Sequence, residues 1–247
     1  MKPILEFPLT DKILTTYALA IGADLQGYRN HIYRVLNFHG ALSGAEGLPP
    51  QAVQIAAAFH DLGIWTDDTL DYLPPSIALA IEYLDSQQRP ELKDEVSALI
   101  LEHHKLRRYR GTYANSVEPF RQADLVDVSL GLVRFGLPRS FIRTVQATFP
   151  DHGFHSMLMK LSARQLIRSP LRPLPMFRWC PPCLSPSLTV PLAQSHFTAK
   201  RLKHSPSDYP LLDISQFKPT LFAGTYEFQR RLGARLDVLT LVRRSST

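Results

Sequence analysis

Apolar residues return at helical spacing along most of the first two thirds of the chain. The pattern predicts helices over 9–22, 24–42, 51–62, 76–88, 91–105, 117–135, 138–149 and 153–168. Within 24–42, Tyr28, His31, Val35, Phe38 and Leu42 recur on one face, which sets His31 on or beside the buried stripe. Val96, Leu99, Ile100 and His103 share a face of the fifth helix, with His104 one step round. Phe120, Asp124, Val128 and Leu132 share a face of the sixth. Gly44, Gly47, Pro49 and Pro50 mark a loop, and Pro74-Pro75 bounds the polar-aromatic run from Trp65 to Leu73. Strand signals are nearly absent, so the expected class is all-α, a helical bundle.

The pattern changes after Trp179. Seven prolines between Pro170 and Pro191 cannot lie inside a helix and predict an extended, poorly structured linker. Beyond it, Leu221, Phe228, Leu232, Leu236, Leu239 and Val242 are spaced as one amphipathic helix within 220–243, flanked by arginines. The expected organisation is a domain over 9–179 and a basic tail over 180–247.

Charge follows the same division. The net charge is +6, but residues 1–179 carry 19 basic and 18 acidic side chains, and residues 180–247 carry 9 and 4. The basic excess belongs to the tail, so a nucleic-acid partner is not expected for the first domain. Cys180 and Cys183 form a lone Cys-x-x-Cys, which cannot complete a four-ligand zinc site or a secreted disulfide framework. No signal peptide or membrane span is legible, so a cytoplasmic location is expected.

The candidate chemistry centres on Ala57-Ala58-Phe59-His60-Asp61-Leu62-Gly63. A helix packed through small residues would carry His60 and Asp61 on its last turn, with Gly63 ending it in a left-handed conformation. Imidazole and carboxylate side by side can hold a divalent ion. His31 lies upstream; Glu102-His103-His104-Lys105 and Asp124 lie downstream. Two imidazoles and two carboxylates from three helices would leave coordination positions open for water and substrate, as a catalytic site requires. A mixed nitrogen and oxygen set suits Mn, Fe, Co, Ni or Zn. Alone, Asp124 could equally be an ion-pair partner of Arg121.

This order resembles the HD-domain superfamily of metal-dependent phosphohydrolases. The resemblance extends through Tyr28-Arg29-Asn30-His31-Ile32-Tyr33-Arg34, Ala58 to Thr66, Glu102 to Lys105 and Ala123-Asp124-Leu125-Val126-Asp127, and is similar to one compact bacterial branch. It implies that His31, His60, Asp61 and Asp124 bind the metal. It also makes Asp61 and His60 the expected catalytic pair, with Asp61 orienting or deprotonating the attacking water. The implied substrate is a small phosphorylated or nucleotide-like molecule. Arg34, Lys105, Arg107 and Arg108 are candidates to hold its phosphate, and Asp68, in the loop leaving the HD pair, to meet its sugar or base.

His103 and His104 separate two chemistries. Some HD enzymes hold two metals through further, well-separated histidines, and a branch of these oxidises substrates at a di-iron centre. Adjacent helical side chains diverge by about 100°, so one of the pair is expected at the site and the other elsewhere. One metal per chain is the expectation, with His103 or His104 as a substrate-binding or supporting group. The alternatives are a di-iron oxygenase and a non-catalytic interaction module recruited through the basic tail.

Overall fold

In the computed structural model, residues 1–168 are described. The Pro-rich linker, the Cys180–Cys183 pair and the expected tail helix lie outside the described residues. Among the described residues nine α-helices carry the fold: α1 (Pro8–Ile21), α2 (Leu25–Ser43), α3 (Gln51–Phe59), α4 (Gly63–Thr66), α5 (Leu73–Ser86), α6 (Lys93–Glu102), α7 (Ala114–Val128), α8 (Arg139–Thr148) and α9 (Phe154–Arg168). No strand occurs among the described residues, and the class is all-α.

The central contact is α2 along α7. Helix α2 buries residues on nearly every side, from Gly27 through His39, because α3, α8 and α9 pack on its other faces. Helix α3 is buried from Ala52 to Phe59. Its Ala56-Ala57-Ala58 run is fully covered, so the backbone can approach its neighbours closely. Tyr28 exploits this by donating its hydroxyl hydrogen to the Ala58 carbonyl at 3.0 Å. Helix α6 lies against α3, α5 and α7. The ends of α3 and α6 and the middles of α2 and α7 thus meet in one interior region.

Several helix ends differ from the periodic pattern. The sixth helix starts three residues early and stops at Val128 rather than 135. Leu130 takes φ 55° and Gly131 φ 79°, which end the helix in a left-handed turn. Leu132, at helical spacing from Asp124, is 86% exposed. Pro74-Pro75 does not bound a loop but occupies the first turn of α5, where missing amide hydrogens cost nothing. The third helix ends at Phe59, and the left-handed stop expected at Gly63 does not occur. Gly63 instead opens α4 with its φ outside the positive range. Its lack of a side chain answers a close approach: a Cβ there would lie 2.6 Å from the Tyr72 carbonyl oxygen and 2.9 Å from Pro75 Cγ.

Candidate metal centre

His60 and His103 follow directly on the last residues of α3 and α6. The closing carbonyls of a helix have no partner within it. Each ring uses one of them: Nδ1 of His60 meets the Ala57 oxygen at 2.8 Å, and Nδ1 of His103 meets the Ile100 oxygen at 2.7 Å. A carbonyl only accepts, so both Nδ1 atoms carry hydrogen. In the neutral rings both Nε2 atoms are bare lone pairs.

His31 sits mid-helix, where the carbonyls are already bonded. Its Nδ1 instead meets Asp127 Oδ2 at 2.7 Å, which again puts the hydrogen on Nδ1. The Nε2 atoms of His31 and His60 face each other at 3.0 Å. When both rings are neutral no hydrogen lies between them, and two lone pairs at that separation repel unless a cation accepts both. Asp61 Oδ2 lies 3.8 Å from His31 Nε2 and 3.4 Å from His60 Nε2, and Asp124 Oδ1 is 3.5 Å from His31 Nε2.

Besides the His39 ring nitrogens, three buried side-chain atoms lack a hydrogen bond of good geometry among the described residues: Asp61 Oδ1, His103 Nε2 and Asp124 Oδ1. Leaving such groups unsatisfied inside a protein is costly, and all three belong to the same cluster. The donor set fits a divalent transition ion. Two groups of ligand atoms meet the spacing a metal needs, His31–His60–Asp61 and Asp61–His103–His104, and they share Asp61.

The electrostatics divide the cluster: burial alone would lower His103, but Asp61 and Asp124 outweigh it and push that imidazole up, so without a cation it favours its proton. Burial holds the His60 imidazole down to about 3, so the ring stays neutral at any ordinary pH. Burial alone would raise Asp61, but the surrounding His60, His103 and His104 rings outweigh it and hold the carboxyl well below its usual range. Asp124 is pushed up to about 6 by burial, only partly relieved by His103 and His31. Burial also drives His104 well down, helped by the His103 ring.

Both histidines of the adjacent pair reach the cluster, contrary to the expectation that one would point away. His103 Nε2 is 3.4 Å and His104 Nε2 3.9 Å from Asp61 Oδ1, and His104 Nδ1 is 3.8 Å from Asp124 Oδ2. His103 keeps helical backbone angles, so it is the reach of the two side chains, with Tyr72 holding the second ring, that brings both to Asp61. The two rings lie with centroids 3.7 Å apart, and Tyr72, missed in the sequence, holds His104 through its hydroxyl.

Arg34 is corrected from phosphate ligand to buried support. It is 2% exposed and gives Nε to Asp127 Oδ1 at 2.5 Å, Nη2 to Asp127 Oδ2 at 2.8 Å and Nη1 to the Phe149 oxygen at 2.9 Å. Asp127 is held down to about 2 despite its burial, by hydrogen bonds from His31 and Arg34. The signal for Asp127 was its place one turn after Asp124, as Arg34 stands one turn after His31. Arg121 pairs with Glu118 at 2.7 Å, not with Asp124. Lys105 is half-buried, and its carbonyl accepts from Arg121 at 2.8 Å. Asp68 does not join the cluster: it is exposed and lines a cavity of about 160 Å³ with Ile64, Leu70, Leu161, Arg164 and Arg168.

Residues 28–128 match the family model described as HD domain. The chain contains an HD domain. That stretch holds His31, His60, Asp61, His103, His104, Asp124 and Asp127. No curated protein and no solved structure matches the chain. The family region stops at the end of α7, whereas part of the HD domain's inner wall comes from later residues. Phe154, at the start of α9, stacks on the His31 ring at 4.3 Å and 18°. Among the described residues, no helix is long and apolar enough to cross a membrane.

Proposed function

We propose that the chain is a metal-dependent phosphohydrolase that acts in the cytoplasm on a small phosphorylated or nucleotide-like substrate. The observation that carries this reading is the pair of bare Nε2 atoms of His31 and His60, 3.0 Å apart beside two buried carboxylates. His31, His60, Asp61 and Asp124 would hold one divalent ion, such as Mn, Fe, Co, Ni or Zn. Such an ion supplies Lewis acidity, bringing the pKa of a water towards neutrality and polarising a phosphoryl oxygen.

The chain's own groups supply the rest. Asp61 stays ionised, and its Oδ1 makes no hydrogen bond, so it is placed to accept a proton from the attacking water. His60 is held neutral by burial and acts as a fixed donor of electrons rather than as an acid. His104, anchored by Tyr72, borders the centre on its more exposed side and would contact the leaving group or the phosphate. Lys105 follows it immediately and supplies positive charge near that edge.

The test is a panel of phosphomonoesters, phosphodiesters and nucleotides, assayed with each candidate metal for the wild type and His60→Ala. Hydrolysis that is lost in the variant is expected. Activity unchanged by the substitution would overturn the reading.

The shared carboxylate favours a second reading. Asp61 belongs to both ligand groups, which would allow two ions and, with iron, an oxygenase in place of a hydrolase. Two iron ions per chain, with oxygen consumed on substrate addition, would replace the hydrolytic reading with this one.

A further inference from the structure

The three histidines that present a bare Nε2 are fixed in two ways. His60 and His103 use helix-end carbonyls three residues earlier. His31 has no such carbonyl, and a carboxylate from another helix takes its place. We propose that Asp127, clamped by Arg34, is a positioning residue that locks His31 in the Nδ1-protonated form and so turns its Nε2 lone pair towards the metal. This rests on the centre being a metal site, the basis of the function proposed above.

The acceptor pattern leaves little choice. Asp127 Oδ2 receives both His31 Nδ1 and Arg34 Nη2, at 2.7 and 2.8 Å, while Oδ1 receives Arg34 Nε at 2.5 Å. Both Arg34 nitrogens must donate, because guanidinium has no acceptor, and His31 Nδ1 must donate because an ionised carboxylate only accepts. Only a carboxylate accepts at every one of these positions. An asparagine of the same shape would set its amide hydrogens against an Arg34 N–H in either orientation, and in the second also against His31. The second orientation would make His31 Nδ1 an acceptor and place the ring hydrogen on Nε2, where it blocks the metal.

The clamp is held from outside the family-matched region. Arg34 Nη1 binds the Phe149 carbonyl at 2.9 Å, and His155 Nε2 binds the Asp127 carbonyl at 3.0 Å. His155 is itself tied to Asp151. The α8–α9 connection and the first turn of α9 therefore hold both ends of the Arg34–Asp127 pair and stack Phe154 on the ring they orient. Support of a metal-ligating histidine by a carboxylate on its second nitrogen typically governs affinity by 10- to 100-fold.

Two measurements on the full-length, metal-free chain test this. The first is nitrogen NMR of the His31 ring in the wild type, which needs no substitution. Hydrogen on Nδ1 and none on Nε2 is expected; a ring protonated at Nε2 would overturn the proposal. The second is Zn²⁺ affinity by competition with a chelator, for the wild type and Asp127→Asn. A loss of about 10- to 100-fold in a folded variant, with the His31 hydrogen moved to Nε2, is expected. Affinity within about twofold of the wild type would overturn it. If Asp127→Asn does not fold, the wild-type spectrum decides. Neither readout involves turnover. A wild type that binds Zn²⁺ but cleaves no phosphoester would sink the proposed function and leave this inference standing.

Discussion

His60 and His103 are mounted in the same way: each closes a helix, gives its Nδ1 hydrogen to the carbonyl three residues back, and turns a bare Nε2 into a shared interior. The equivalence of mounting does not extend to role. His60 faces His31, whereas His103 faces Asp61 Oδ1. His60→Ala should therefore abolish metal retention, since it removes one of the two facing imidazoles. His103→Ala should keep the metal and lose turnover. Elemental analysis of protein purified without chelator, alongside the phosphoester assay, checks both. A His103→Ala protein that loses all its metal would show that the two histidines serve one ion equally.

Asp124 sets metal binding against stability. Its carboxyl titrates near 6 in the metal-free fold against 3.8 in its ordinary state. The folded form thus holds its proton more tightly than the unfolded chain. The associated stability is present below about pH 4 and is lost as pH rises through about 6, up to about 3 kcal/mol. Asp124→Asn should stabilise the metal-free protein at pH 7 by as much as that while destroying metal affinity. Thermal melts of both proteins with and without Zn²⁺ read this directly: the metal should raise the melting point of the wild type alone.

His39 predicts an acid limb to the stability curve. It is 2% exposed, and burial, only partly opposed by the Ser116 backbone, holds its pKa down to about 4 from 6.5. Between those values the unfolded chain takes up the proton and the folded chain does not. Stability should then fall as pH drops from about 6.5 to 4, by up to about 3 kcal/mol. His39→Leu should flatten this limb in urea titrations at pH 7 and pH 4.5. An unchanged pH dependence would place the acid sensitivity elsewhere.

Gly63 couples the HD pair to the loop that follows. An alanine Cβ would press on backbone, the Tyr72 carbonyl, as well as on Pro75. Gly63→Ala should cost about 1–3 kcal/mol, the range for overpacking a closed interior. It should also disturb His104, which Tyr72 holds. Urea melts measure the first effect and metal-supported turnover the second.

Much of the frame could be read from residue pattern alone. The eight expected helices all occur, and His31, His60, Asp61, His103, His104 and Asp124 gather in one place. What escaped was decided by distant contacts. Arg34 looks like any basic residue one turn from His31; only the docking of α7 gives it Asp127 and removes it from solvent. Leu132 keeps helical spacing, yet the left-handed turn at Leu130 and Gly131 ends α7 before reaching it. Gly63 carried the right residue type for the wrong reason, since its smallness answers Tyr72, nine residues on, rather than a helix stop. His104 was misjudged because the 100° offset fixes where a side chain starts and not how far it reaches, and Tyr72, distant in sequence, holds the ring at the cluster.

The burial of the cluster is uneven. Five of the six side chains are between 0 and 4% exposed, and His104 reaches 16%. Phe154 closes the His31 side, and the Arg34–Asp127 pair stands behind it. Among the described residues, His104 is thus the corner of the centre nearest solvent, with Tyr72 buried beside it. That corner is the doorway an incoming molecule would meet first. Selectivity between substrates should accordingly be a property of that doorway and not of the ligands within. Exchanging the residues around it should change which compound reacts while leaving the affinity for the ion untouched.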